Sequence, residues 1–422
     1  MELNKPGIKW QESLVLFIGL IGLIALILIY NKPPLYDEDD YLMNVILLQK
    51  YGFSEVYLLK HIGSAGPLYS ALHYILEPIT KLETPYIRIV NIFLLIGSIW
   101  FTGLTLKMLR LSQSYALLAL AMPMTYVISG LALTEIPAIF FFSVAIYLII
   151  KTCSADLSFI NAALQLSVAG LFLSFAILGR QPFLLVLGAL PILFFKKDNY
   201  IRNGGLLLIT ILFSLALPCY IFSVWGGFVA PGDASLYNRI AEEGVSLRPV
   251  FFFLCMAYYA VIFLIATPYF YLSPTSKEIL ALLLLTLLFI ILNFKYGFFL
   301  YLPMRQLIEH TFPPVVVVWA ETIFGAGIFL GSLYFIATLI RQLVRRKYPK
   351  ELLFFTTAII LIAVACIKIT WGFSSRYPAQ ALPFLIPMFA YFYRENKFNS
   401  YRLGIGVLFG LISLASYLIL AK

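Results

Sequence analysis

Long, nearly uninterrupted apolar stretches follow one another along the chain, separated for the most part by short polar breaks. They fall at 13–30, 87–106, 115–131, 134–150, 161–178, 182–195, 206–225, 249–270, 278–294, 315–340, 351–370, 379–393 and 403–421. A helix rises 1.5 Å per residue, so about 20 apolar residues cross the roughly 30 Å of a bilayer's hydrocarbon. Lipid offers no partner to an open backbone N–H, which favours helices that satisfy themselves. The runs are continuous rather than alternating, which excludes a transmembrane barrel. The pattern predicts an all-α polytopic membrane protein of about 13 transmembrane helices, with 1–422 as one integral membrane domain.

Composition agrees. Apolar residues make up 62% of the chain and charged residues 12%, with mean hydropathy +0.94, and soluble domains carry about twice that charge. The first run is longer than a signal-peptide core and has no small-residue cleavage site, so it predicts a retained span. Cys153, Cys219, Cys255 and Cys366 are irregularly spaced and predict neither disulfides nor a metal site.

Charge sets the orientation. Lys and Arg concentrate in alternate short loops, most densely at Arg341, Arg345, Arg346, Lys347 and Lys350, which places those loops and the N-terminus in the cytoplasm. Asp37, Glu38, Asp39, Asp40, Glu135, Asp233, Glu242 and Glu243 then lie outside. This distribution accounts for the net charge of +10 without nucleic acid as a partner. The chain has no Asn-x-Ser/Thr sequon, which favours a bacterial inner membrane over the endoplasmic reticulum.

One outer loop, 31–86, is long. Its turn Asn31-Lys32-Pro33-Pro34-Leu35-Tyr36 leads into Asp37-Glu38-Asp39-Asp40. Residues 40–51 read as a short helix with Asp37, Asp40 and Asn44 on one face. A second helix follows Gly66-Pro67, with Leu68, Leu72, Ile75, Leu76 and Ile79 as an apolar stripe and His73 and Glu77 on another face. Both fit the membrane interface plane. Four adjacent carboxylates beyond a span are either a solvated turn or a base or cation site. Glu135 opens the fourth span on the same side, where a first-turn carboxylate also suits the helix dipole.

Single basic residues occupy outer span ends against the topological bias: Arg180, Arg376 beside Tyr377, and Arg305 with His310. Each fits a snorkelling anchor. Together, facing a carboxylate-rich loop, they also fit a phosphate site, because the planar guanidinium binds two oxygens at once.

A first span, a long outer loop with interfacial helices and an acidic residue just past the span resemble the GT-C glycosyltransferases, and most of all the dolichyl-phosphate-glucose α-1,2-glucosyltransferases. The resemblance rests on Pro34-Leu35-Tyr36-Asp37-Glu38, Gly66-Pro67-Leu68-Tyr69, Arg88-Ile89-Val90-Asn91, Thr134-Glu135, Arg180-Gln181, Gly226-Gly227 with Asp233, and Arg376-Tyr377, in order. Asp39 and Asp40 depart from that family's apolar or aromatic pattern, and Gly66-Pro67 inverts its Pro-Gly.

The resemblance implies a GT-C-like bundle. It also implies transfer of a sugar from a polyprenyl-phosphate donor to a glycan or lipid-linked acceptor on the non-cytoplasmic face. Direct displacement with inversion needs a base for the acceptor hydroxyl and cations for the leaving phosphate. Asp37 is the expected base, with Glu38 and Glu135 in the catalytic set. Arg180, Arg376 and Arg305 are expected on the phosphate. Asp40, His61, Arg88, His310 and Tyr377 are expected on substrate. No cofactor is expected, with a divalent cation at the acidic cluster as the alternative. The rival reading is a multi-span lipid or solute transporter or flippase, although no internal repeat is evident.

Overall fold

The computed structural model describes residues 8–63, 65–194, 199–232, 247–266, 268–271, 274–296, 305–345, 349–368, 373–374, 376–393 and 400–420. Asp233, Glu242 and Glu243 lie outside these residues. Among the described residues every regular element is helical. The helices are α1 (Trp10–Ile29), α2 (Asp37–Tyr51), α3 (Glu55–Lys60), α4 (Leu68–Thr80), α5 (Tyr86–Met108), α6 (Pro123–Gly130), α7 (Glu135–Ser154), α8 (Phe159–Gly179), α9 (Phe183–Val186), α10 (Pro191–Phe194), α11 (Tyr200–Trp225), α12 (Val250–Ala266), α13 (Ser276–Tyr296), α14 (Arg305–Thr311), α15 (Pro314–Arg345), α16 (Lys350–Ala365), α17 (Arg376–Ala379), α18 (Leu382–Tyr393) and α19 (Ser400–Leu420).

Eight of them are long and apolar enough to cross a membrane: α1, α5, α7, α8, α11, α15, α16 and α19. Each matches a predicted span. Three other predicted spans are interrupted. The run at 115–131 divides into a 3-10 helix, Gln113–Ala121, and α6. The break falls at Met122, held extended at φ −90° and ψ 115° before Pro123, because the proline ring disfavours helical backbone in the residue ahead of it. The run at 182–195 becomes α9, a 3-10 turn and α10, which begins at Pro191. The run at 379–393 becomes α17 and α18.

Contacts between helix ends define two faces of the bundle. On one, Arg402 Nη1 donates to Leu264 O at 3.3 Å, Arg341 Nη1 to Glu278 Oε2 at 3.2 Å, and Arg202 to Leu157 O. On the other, Lys32 Nζ donates to Ile419 O at 3.4 Å and Arg248 N to Ile367 O at 2.8 Å. The basic loops of the sequence gather on the first face. The start of α2, the start of α7, the end of α8 and the start of α17 meet on the second.

Close helix approach depends on small residues. Tyr126 of α6 is fully buried and donates to Leu120 O at 2.8 Å. Its ring lies against Gly410 of α19, where a Cβ would come within 2.1 Å of it. Its hydroxyl lies against Gly19 of α1, where a Cβ would come within 2.3 Å.

The loop between α1 and α5 contains three helices rather than two, since α3 follows α2. Its α4 is oriented opposite to a helix on a water-facing core. Ile75 and Ile79 are exposed, whereas His73, Ser70 and Tyr69 are buried. In a lipid environment Ile75 and Ile79 form an outward apolar face, while Leu68 at the start of the stripe is buried.

Candidate functional site

The site begins at the hinge between α1 and α2. Tyr36 adopts φ 56° immediately before Asp37, a left-handed conformation uncommon outside glycine and worth on the order of 1–3 kcal/mol when imposed. The next residue but one anchors this bend. Glu38 is completely buried and meets the completely buried Arg88 of α5 through two bonds, Nε to Oε1 at 3.0 Å and Nη2 to Oε2 at 2.7 Å. Glu38 also accepts from Leu35 N at 2.7 Å and Ala132 N at 2.5 Å. Arg88 Nη2 reaches Pro33 O at 3.2 Å. A bidentate buried pair with backbone donors on both carboxylate oxygens satisfies the charge that burial would otherwise penalise.

The same contacts fix the turn that carries Glu135. Ala132 is held by Glu38. Asn91 Nδ2 donates to Leu131 O at 2.8 Å and Leu133 O at 3.0 Å. Glu135 follows as the first residue of α7 and is buried.

Four charged side chains then converge. Arg376 Nη1 donates to Asp37 Oδ2 at 2.6 Å and Arg376 Nε to Glu135 Oε1 at 2.9 Å. Arg180, buried just past α8, donates to the same Glu135 oxygen. Tyr41, one turn along α2 from Asp37, lies with its hydroxyl 3.4 Å from Arg376 Nη2. Two carboxylates therefore face two guanidiniums. Among the described residues, Glu135 Oε2 and Arg180 Nε are buried without a hydrogen-bond partner, an acceptor and a donor that a polar ligand could satisfy.

Electrostatics distinguish Asp37 within the acidic run. Burial works to raise its carboxyl, but Arg376, with Arg180 and the Tyr41 hydroxyl, outweighs that effect and holds it below the ordinary 3.8. Tyr377 shares the neighbourhood; burial raises its phenol while Arg376 and Arg180 oppose the rise.

The structure thus brings together Asp37, Glu135, Arg180, Arg376 and Tyr377 from the expected set. Glu38 and Arg88 pair with each other behind them. Asp40 is exposed on α2. His61 is buried between Tyr57, ring centroids 5.8 Å apart, and Trp225 at 5.6 Å, and burial lowers its imidazole to about 4. His310 is exposed near the end of α14. Arg305 opens that helix, and its side chain lies outside what is described.

The four carboxylates at 37–40 do not converge. Asp37 faces Arg376 and Glu38 faces Arg88, while Asp39 and Asp40 are exposed. Among the described residues no three His, Cys, Asp or Glu side chains gather as a metal set.

Tyr36, Tyr41 and Tyr417 belong to the neighbourhood and were not predicted. Tyr417 packs edge-on against Tyr36 at 5.6 Å. Tyr41 was detectable in principle, because a residue four positions after Asp37 shares its helix face.

No protein-family model matches the chain, and no curated protein does. Solved structures similar to it include the protein O-mannosyltransferase Pmt1-Pmt2 complex of S. cerevisiae bound to the sugar donor, at 16% identity and TM-score 0.36, covering 58% of this chain and 37% of that one. The archaeal oligosaccharyltransferase AglB from Archaeoglobus fulgidus, in complex with an inhibitory peptide and a dolichol-phosphate, is similar at 14% identity and TM-score 0.46, covering 98% of this chain and 55% of that one. The Archaeoglobus fulgidus oligosaccharyltransferase tethered with an acceptor peptide containing the NVT sequon gives 15% identity and TM-score 0.43, again covering 98% and 55%. The chain spans about half, or less, of the length of these proteins.

Proposed function

We propose that this chain is a GT-C-type membrane glycosyltransferase, which moves a sugar from a polyprenyl-phosphate carrier to an acceptor hydroxyl on the non-cytoplasmic side. The observation that carries the reading is the convergence of Asp37, Glu135, Arg180 and Arg376 at one end of the bundle, directly after α1. A carboxylate beside guanidiniums at a bilayer surface supplies both requirements of displacement at an anomeric carbon. The acceptor oxygen attacks the anomeric carbon as its proton passes to Asp37. The bond from that carbon to the phosphate oxygen breaks on the opposite side, which inverts the configuration. The charge left on the polyprenyl phosphate is stabilised by arginine.

The resting ion pairs add a constraint. Asp37 and Glu135 balance Arg180 and Arg376, so an incoming phosphate competes for a guanidinium already in use. Arg376 is the guanidinium shared between the two carboxylates, and Glu135 keeps Arg180 when Arg376 turns toward the phosphate. Release of Asp37 by that turn makes it a better proton acceptor when donor is present.

The test is purified protein in liposomes with a panel of radiolabelled polyprenyl-phosphate sugars and candidate glycan or glycolipid acceptors. A new glycosidic product, lost in Asp37→Asn, is expected. Movement of the lipid between leaflets with no new glycosidic bond would instead support a flippase.

A further inference from the structure

The irregular spacing of the cysteines in the sequence predicts no pairing, yet the fold brings two of them together. Cys255 of α12 and Cys366, directly after α16, are both buried, and their sulfurs are 3.1 Å apart. They are 111 residues apart in the chain, so the contact is a product of packing between helices. A disulfide bond requires about 2.05 Å, a closure of about 1 Å from the observed position.

The surroundings tie this contact to the site. Arg248 N donates to Ile367 O at 2.8 Å, one residue past Cys366. The Phe373 ring packs against Phe251 and Tyr258 of α12 at 5.5 and 6.0 Å, and against Tyr377 at 6.1 Å. Ile367 and Phe373 thus meet α12 and the residue leading into it, and Arg376, three positions after Phe373, reaches Asp37 and Glu135. Cys255 lies in the second turn of α12 and Cys366 at the far end of α16, both on the face that carries the four charged residues. Under the orientation in the proposed function, that face is non-cytoplasmic, where disulfides form and persist.

We propose that Cys255 and Cys366 are a modification site: in the mature protein they are joined as a disulfide that fastens α12 to the segment carrying Arg376. Each thiol loses its proton as the two sulfurs bond. The two electrons and two protons pass to an external disulfide, which leaves as two thiols. The exchange takes place before α12 and α16 close over the sulfurs.

The experiment uses full-length protein from native membranes, trapped with N-ethylmaleimide under denaturing conditions without reductant, followed by peptide mapping. A reducible Cys255–Cys366 peptide is expected, with Cys153 and Cys219 alkylated. Cys255→Ser is expected to leave Cys366 alkylated, and dithiothreitol is expected to lower the melting temperature of the wild type but not of Cys255→Ser. Alkylation of both Cys255 and Cys366 in the wild type overturns the proposal. A parallel cysteine probe in loop 31–63, labelled from either side, reads the orientation separately. Outside labelling with reduced thiols refutes the disulfide and leaves the functional reading standing, whereas cytoplasmic labelling refutes the orientation on which that reading depends.

Discussion

Asp37 and Glu38 are neighbours in sequence with different surroundings. Glu38 is fully buried, paired in two bonds with Arg88, and accepts two backbone N–H groups. Asp37 is partly exposed and holds Arg376 by one bond, while that arginine also serves Glu135. Both are carboxylates facing arginine. The difference is the number of fixed partners and the access of solvent. A buried pair whose carboxylate has several fixed donors holds backbone in place, whereas a pair with shared and exchangeable partners can take part in proton transfer. Four acidic letters in a row therefore do not make one acidic site.

Removing one partner from the closed pair should have the largest effect. Arg88→Ala leaves the Glu38 charge buried, which typically costs about 3–5 kcal/mol. A large fall in melting temperature in detergent, with loss of folded yield, is expected. A variant that stays as stable as the wild type would remove the structural role assigned to the pair.

Arg376→Ala should give the opposite profile. Transfer should be abolished while expression and melting temperature change little, because Glu135 retains Arg180. Arg376→Lys keeps the charge but loses the planar fork, so measurable but reduced transfer is expected. Full activity in the lysine variant would reduce the residue to a charge anchor.

Asp37→Asn should lower turnover by roughly 10²-fold or more, the usual scale for a positioned base, with polyprenyl-phosphate binding retained. Asp40→Asn should do much less, since Asp40 is exposed on α2. Reversal of these two outcomes would move the base along the run.

The smallest effect is on acid stability. Burial lowers the imidazoles of His61 and His73 to about 4 from 6.5. In the unfolded chain they take up protons first, so their stabilising contribution is intact above pH 6.5 and is lost as the pH falls toward 4. Asp37, held below 3.8, adds a loss only at still lower pH. Melting temperature against pH should therefore slope more gently in His73→Phe than in the wild type, and parallel curves would refute the assignment.

Long apolar runs identify the eight described helices long and apolar enough to cross a membrane, because a span is specified by local composition over about 20 residues. The convergence of Asp37, Glu135, Arg180 and Arg376 was suggested only indirectly, through charges at matching span ends. The contacts themselves were not legible, because Arg376 meets Glu135 across 241 residues and Asp37 across 339. The pairing of Arg88 with Glu38 was not legible for the same reason: its partner lies 50 residues away in another helix. On α4 the stripe of Ile75 and Ile79 was visible, but its direction depends on whether the surroundings are lipid or water.

The Glu135–Arg180 pair also bears on how the chain enters a membrane. Glu135 begins α7 and Arg180 follows α8, so two successive helices bring both charges to the same end of a single hairpin. A translocating hairpin can cancel its own charges at one surface, without waiting for the rest of the bundle. Arg376 is synthesised 196 residues after Arg180. Asp37 therefore receives its guanidinium late in assembly, and a nascent chain interrupted before α17 has its hinge, its Glu38 lock and its paired hairpin, but not the group that completes the site.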